Sequence, residues 1–321
     1  MSRPAARIAL VTPALADANN GNWQTARRWS QMLRHRHAVR VLPQWTGGDE
    51  DLLIALHARR SAASLVAWRE RHPQRPLLLV LTGTDLYRDI ASDGAAQRSL
   101  VLADRLVLLN ELGARALPPA LQSKARVCLQ SAPARAPRWP RTTRHLRVAV
   151  VGHLREEKDP RTVLAAVALL AGRSDIVIDH LGAALDPALG EAALALAAAQ
   201  PNYRWQGAQP HGAARALIAQ AHVLVHASRL EGGAHVVIEA ITSGTPVIAS
   251  RIDGNLGLLG SDYAGCFEPG DGAGLAASIE RARDEPAWWA VLAGQCALRA
   301  PLFAPAREQA TLTALVDELL R

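Results

Sequence analysis

The sequence predicts an α/β protein of two doubly wound domains, each a parallel sheet covered by helices on both faces. Three observations carry that prediction. Short apolar runs alternate with longer stretches of helical periodicity, the pattern of buried parallel strands and their crossover helices. The alternation stops once, at Pro133-Ala134-Arg135-Ala136-Pro137-Arg138-Trp139-Pro140, and then restarts. The 321 residues exceed one ordinary core and suit two domains of about 100–200 residues each.

In chain order, strands are expected at Arg7–Thr12, Ala38–Leu42, Asp51–Leu56, Pro76–Thr82, Arg105–Leu109 and Arg126–Leu129, with helices at Trp23–Arg34, Arg59–Arg71 and Ala95–Ala103. After the break, strands are expected at Leu146–Val151, Ile176–Leu181, Tyr203–Trp205, His222–His226 and Pro246–Ala249. Helices fit Asp159–Ala171, Pro187–Ala199, Gly212–Ala221, Gly233–Thr242 and Ala273–Arg283, and two more, Pro286–Arg299 and Pro305–Leu320, close the chain. The expected organisation is an N-terminal Rossmann-like domain over residues 1–134, a linker over 135–145, a C-terminal Rossmann-like domain over 146–303, and a final helix, 304–321, able to pack back on the first domain. The two domains are expected to face each other across a central cleft.

Composition narrows the function classes. Hydrophobic residues make up 49% and charged residues 20%, a globular balance. The net charge of +7 is spread without a Lys/Arg-rich block or a nucleic-acid motif, so nucleic acid is not an expected partner and small phosphate-bearing molecules are. Met1–Arg7 is short and polar, unlike a targeting segment, and no apolar run approaches a membrane span. No stable membrane association is expected. Cys128, Cys266 and Cys296 form no CxxC pair and read as core residues of a reducing cytoplasm.

Ligands of doubly wound sheets bind beyond the carboxyl ends of the strands, so the residues just after each strand carry the chemistry. The richest stretch is Ser228-Arg229-Leu230-Glu231-Gly232-Gly233-Ala234-His235-Val236-Val237-Ile238-Glu239-Ala240. Gly232 and Gly233 let backbone approach a ligand, and the helix start near Ala234 and His235 offers N–H groups and a positive dipole end to a diphosphate. Glu231 and Glu239 lie about two turns, roughly 10 Å, apart and can address different parts of one elongated ligand. Carboxylates accept paired hydrogen bonds from vicinal hydroxyls such as those of sugars and ribose. After the first strand of this half come Gly152, His153, Arg155 and Lys158. Lys158 is one of only two lysines among 36 basic residues, which singles it out in an arginine-rich chain. No Asp-x-Asp motif or metal cluster is evident, so no metal is expected to be required.

In the first half, the long loop Pro13–Gln24 holds Asn19-Asn20-Gly21-Asn22, with Gly21 and Asn22 as candidate ligand contacts. His57 follows a strand. Arg59 and Arg60 are expected to open the next helix, where two arginines and the helix dipole would suit a small anion. Leu81-Thr82-Gly83-Thr84-Asp85-Leu86-Tyr87-Arg88-Asp89 follows another strand, and Thr82, Thr84, Asp85 and Arg88 read either as ligand contacts or as a helix cap.

The Glu-x7-Glu spacing, the Ser243-Gly244-Thr245-Pro246-Val247-Ile248-Ala249-Ser250 stretch and the Asp253-Gly254-Asn255 turn resemble the retaining nucleotide-sugar glycosyltransferases of GT-B fold. That resemblance implies that Glu231 binds hydroxyls of the donor sugar, Glu239 the ribose, Asn255 the donor, and Lys158 the diphosphate. It also implies that His57 lies on the acceptor side. Two positions depart from the pattern. His153 stands where the family has an arginine, whose charge Arg155 could supply or whose hydrogen bond His153 could replace; Gly257 stands where a glutamate is common. Across Asn19–Trp29, His57–Ala62, Leu81–Asp89, Gln130–Pro133, Gly152–Pro160, Arg229–Ala240 and Arg251–Gly260 the chain resembles the selenosugar synthases of selenoneine biosynthesis, and both departures fit that branch. The resemblance implies a UDP-sugar donor (UDP-N-acetylglucosamine or UDP-glucose), selenophosphate as a small anionic acceptor, and Arg59, Arg60 and Arg88 as candidates to hold its phosphate. Rival readings are hexosyl transfer to a lipid, a polysaccharide or a thiol, a nucleotide-sugar epimerase, and a sugar-nucleotide sensor without turnover.

Overall fold

The computed structural model describes residues 5–13 and 21–321. The readings of Met1–Pro4 and of Asn19 and Asn20 lie outside the described residues. The chain divides into two compact units: Met1–Ser131 with Glu231–Gly233 and Pro305–Arg321, and Ala132–Leu230 with Ala234–Ala304.

The first unit is a six-stranded parallel sheet. Its strands are β1 (Arg7–Val11), β2 (Ala38–Leu42), β3 (Leu52–Leu56), β4 (Leu77–Leu81), β5 (Arg105–Leu108) and β6 (Ala125–Val127), in the order β2-β1-β3-β4-β5-β6. Every residue of β3 and β4 is buried, as a central strand covered on both faces requires. Alternate side chains feed two cores. Ala9, Leu53 and Leu79 point to one face and meet Leu65 and Trp68 of helix Ala62–Arg71. Ile8, Ile54 and Leu78 point to the other and meet Trp29 of helix Gly21–Leu33 and Leu312 of helix Pro305–Leu319.

The second unit repeats the plan with β7 (Leu146–Val151), β8 (Ile176–Leu181), β9 (Tyr203–Trp205), β10 (Val223–His226), β11 (Val247–Ser250) and β12 (Cys266–Phe267). All pairings are parallel, in the order β12-β11-β10-β7-β8-β9. The strand order reverses at β7, between β10 and β8, which is where such sheets open a ligand crevice.

Three local expectations are corrected. The helix expected from Arg59 begins at Ala62, because His57 takes a left-handed φ of 74° and the chain turns through Arg59 and Arg60 before Ser61. Asp253–Leu259 is a helix, where a turn was expected, and Thr84 is followed by a π-helical turn, Asp85–Asp89. The two-residue β12 escaped the sequence reading because it is too short to show a period. Among the described residues no helix is long and apolar enough to cross a membrane. Burial raises all three cysteine thiols, Cys128 to about 12 and Cys266 to about 11, so these side chains behave as protonated core residues.

Candidate functional site

In the second unit a pocket opens at the carboxyl ends of β7 and β10, lined by Gly152, His153, Lys158, His180, His226 and Ser228. Gly152 follows β7 directly, and a Cβ there would rest 3.7 Å from the Lys158 stem, so the glycine leaves room along that side chain. Lys158 ends the short 3₁₀ turn Glu156–Lys158. The turn is fixed by Asp159, which is 3% exposed, has a left-handed backbone (φ 47°) and accepts from Thr162 Oγ1 at 2.7 Å and Arg229 Nε at 2.9 Å. The Arg229 backbone N–H donates to Glu157 O at 2.9 Å. Asp159 and Arg229 thus tie the loop after β7 to the loop after β10, a role that adjacency in sequence could not reveal.

His153 does not replace an arginine's charge. Burial, then the charges of Arg155 and Lys158, hold its imidazole below the usual histidine range. Its Nδ1 accepts from Ala183 N at 3.0 Å, which leaves Nε2 as the protonated nitrogen of the neutral ring and a hydrogen-bond donor. The positive charge beside it comes from Lys158 and from Arg155, which lies 3.9 Å from Glu157. Ser228 Oγ is buried and makes no hydrogen bond among the described residues, leaving one polar atom at the pocket wall for a ligand.

Glu239 lies in the helix His235–Thr242, whose N-cap is Ala234. It is 1% exposed, and its Oε1 accepts from His211 Nε2 at 2.6 Å and His235 Nδ1 at 3.2 Å, with Arg215 Nε at 3.6 Å. Burial alone would raise this carboxyl; the hydrogen bonds and charge of the two histidines outweigh it and bring the pKa down to about 2. A buried carboxylate held ionised is suited to accept hydroxyl hydrogen bonds. Asn255 is fully buried and donates to Ser250 O and Oγ, both at 3.0 Å, so it positions the end of β11 from inside the unit.

Glu231, Gly232 and Gly233 belong to the first unit. There the glycines serve backbone packing: a Cβ on Gly83 would stand 2.7 Å from Gly232 N, and one on Gly232 would overlap the Thr82 carbonyl. Asn110 Nδ2 donates to Gly232 O at 2.7 Å. The close approach expected toward a ligand is therefore made toward Thr82 and Gly83, and it fixes the loop that carries Glu231.

Around the end of β3, Asp85 is fully buried and accepts from the backbone N–H groups of Ala58, Thr82 and Gly83, each at 2.9 Å. It is a staple for the loops after β3 and β4. His57 is 3% exposed, and burial holds its imidazole low against the opposing charge of Asp85. Its Nδ1 accepts from Arg60 N at 3.4 Å and its Nε2 lies 3.3 Å from Thr84 Oγ1. Arg59 pairs with Asp89 at 3.7 Å and Asp93 at 3.3 Å, and Arg88 with Asp89 at 3.1 Å. These acids offset part of the two charges, while Arg60 makes no ion pair among the described residues. Gly21 and Asn22 begin their helix, and among the described residues nothing lies within 4 Å of a Cβ placed on Gly21.

Sequence and structure comparisons agree with this layout. Residues 137–291 match the family model of glycosyl transferases group 1. No curated protein matches the chain. Among solved structures, Anabaena HepE in complex with UDP and glucose has a TM-score of 0.77 at 15% identity, over 98% of this chain and 100% of that one. Sucrose-phosphate synthase from Thermosynechococcus elongatus has 0.77 at 16%, over 98% and 99%. The E. coli trehalose-6-phosphate protein bound with UDP-2-fluoro glucose has 0.74 at 12%, over 98% and 99%. The fold is that of the GT-B glycosyltransferases, and with a glycosyl transferase domain in its second unit the protein is a glycosyltransferase.

Proposed function

We propose that the enzyme moves a hexose, N-acetylglucosamine or glucose, from a UDP-sugar to selenophosphate. The observation that carries the donor half is the second unit's strand-end site. A buried, ionised Glu239 sits one helix turn from the start of the helix His235–Thr242, and the pocket beyond β7 holds Lys158 and the Nε2 donor of His153. Glu239 would accept the ribose hydroxyls, Glu231 would hold the hexose, and Lys158, His153 and the Ser228 hydroxyl would meet the diphosphate. Several solved structures of this fold bear UDP or UDP-glucose in their names, which supports the choice of nucleotide.

In the proposed transfer the bond from the anomeric carbon to the UDP oxygen breaks and a carbon–selenium bond forms, with UDP leaving as the anion that Lys158 balances. A selenium nucleophile already carrying negative charge needs no strong general base. Arg60 is the remaining first-unit candidate for the acceptor's phosphate. The test mixes purified protein with UDP-N-acetylglucosamine or UDP-glucose, with and without freshly made selenophosphate, and follows UDP and selenium-bearing sugars by mass spectrometry. Selenophosphate-dependent UDP release with a hexose–selenium product is the expected result. UDP binding without turnover on either donor would overturn the acceptor assignment while leaving the donor site standing.

A further inference from the structure

Glu239 is surrounded by more nitrogen than hydroxyl recognition calls for. We propose that His211, His235 and Glu239 form a binding site for a zinc-class divalent ion. His211 Nε2, His235 Nδ1 and Glu239 Oε1 lie within 4.8 Å of one another. All three belong to the second unit: His211 opens the helix His211–Gln220, and His235 opens the helix that carries Glu239. The spacing of four residues puts His235 and Glu239 on one helix face. The two imidazole rings stand 6.4 Å apart at 51°, directed at the same carboxylate oxygen.

Two edges of the triangle lie near zinc dimensions, and the third, between the two imidazole nitrogens, is within 4.8 Å. Bonds of about 2.0–2.2 Å in tetrahedral geometry separate ligand atoms by roughly 3.3–3.6 Å. The His235–Glu239 edge, 3.2 Å, is already close to that. The His211–Glu239 edge, 2.6 Å, must widen by less than about 1 Å, and the His211 side chain, 51% exposed, has room to withdraw. Two imidazoles and one carboxylate leave a fourth position for water. Imidazole nitrogen favours zinc, copper or nickel over magnesium and calcium. Arg215, 3.6 Å from the same oxygen, strengthens that preference, because its charge works against ions held by charge alone. A bound ion would hold the carboxylate assigned above to ribose, so metal and donor would compete. That consequence rests on the proposed function; the site itself does not.

The test therefore uses metal and protein alone. Full-length protein is stripped with a chelator, freed of it, and titrated with Zn²⁺ by calorimetry at neutral pH. Co²⁺ is added in parallel to read the visible bands of a low-coordinate ion, and circular dichroism confirms that variants stay folded. The expected result is stoichiometric Zn²⁺ binding with such Co²⁺ bands, weakened at least about tenfold by His211→Ala and by His235→Ala. Absence of stoichiometric Zn²⁺ binding by the wild-type protein, or binding unchanged in both variants, would overturn the proposal. Neither result bears on UDP-sugar turnover, which is measured without added metal.

Discussion

At Lys158 the side-chain stem runs past Gly152, and the residue lines the pocket at the end of β7. Its proposed task is confined to the moment when the diphosphate gains charge, so its loss should fall on turnover. Lys158→Ala is expected to lower kcat by about 10²–10³, as loss of one transition-state donor does elsewhere, with a smaller change in donor KM. UDP release at saturating donor measures it; an unchanged kcat would remove Lys158 from the transfer step. Gly232 makes a different kind of demand. Its neighbours across the contact are backbone atoms of Thr82 and Gly83, which cannot rotate away as a flexible side chain can. Gly232→Ala is therefore expected to destabilise the protein by about 1–3 kcal/mol in urea unfolding and to disturb Glu231 beside it. The sequence marked Lys158 and the paired glycines through their positions after strands. It gave no sign of Asp159, His211 or Ser228, whose partners lie far along the chain. His211, for example, meets Glu239 across 28 residues.

Elements were legible in proportion to their length and regularity. β3 and β4 show as uninterrupted apolar runs between polar turns, and helix Pro187–Ala199 has the expected bounds because Asp186 caps it, its side chain accepting from Ala188 N at 2.9 Å. Helix Asp253–Leu259 was hidden by Gly254, Asn255 and Gly257, all of them poor helix formers, and forms because its buried face packs in the unit's interior. The final helix, Pro305–Leu319, shows how an element is anchored by one polar residue. Glu308 is 1% exposed and accepts from Trp29 Nε1 at 2.7 Å, Arg28 Nε at 2.9 Å and Ser131 N at 2.8 Å. The carboxylate joins two helices and the end of the segment after β6 within the first unit. Glu308→Ala strands the indole N–H and the Ser131 N–H in a buried place and takes the carboxylate away from Arg28. It is expected to cost about 3–5 kcal/mol, with Glu308→Gln recovering part of the loss, both read from denaturant midpoints.

On the scale of the whole molecule, the chain uses one plan twice, and each sheet reverses its strand order at its first strand. The sequence announced the repetition through its restart after residue 140, but strand order depends on which crossovers fall on which face, and no local pattern encodes that. The plan also sets how the protein answers acid. His180 lies on β8, is 2% exposed, and shares a hydrogen bond with Tyr203 Oη at 2.9 Å. Burial, opposed by a hydrogen bond with the Gly152 backbone, pushes its imidazole down to about 4. The unfolded chain, with an ordinary histidine near 6.5, therefore binds more protons than the folded one between those two values. Stability is fully present above about pH 6.5 and is lost as the pH falls toward 4, by about 3 kcal/mol from this group. The carboxylates held low by arginine pairs, such as Asp175, keep their stabilisation until still lower pH, so they do not mask the effect. Thermal melts of the full chain from pH 7 to pH 4.5 should show a falling midpoint, and His180→Gln, which cannot take up a proton in this range, should show a shallower fall. Parallel curves for the two proteins would mean that His180 is not the group that titrates.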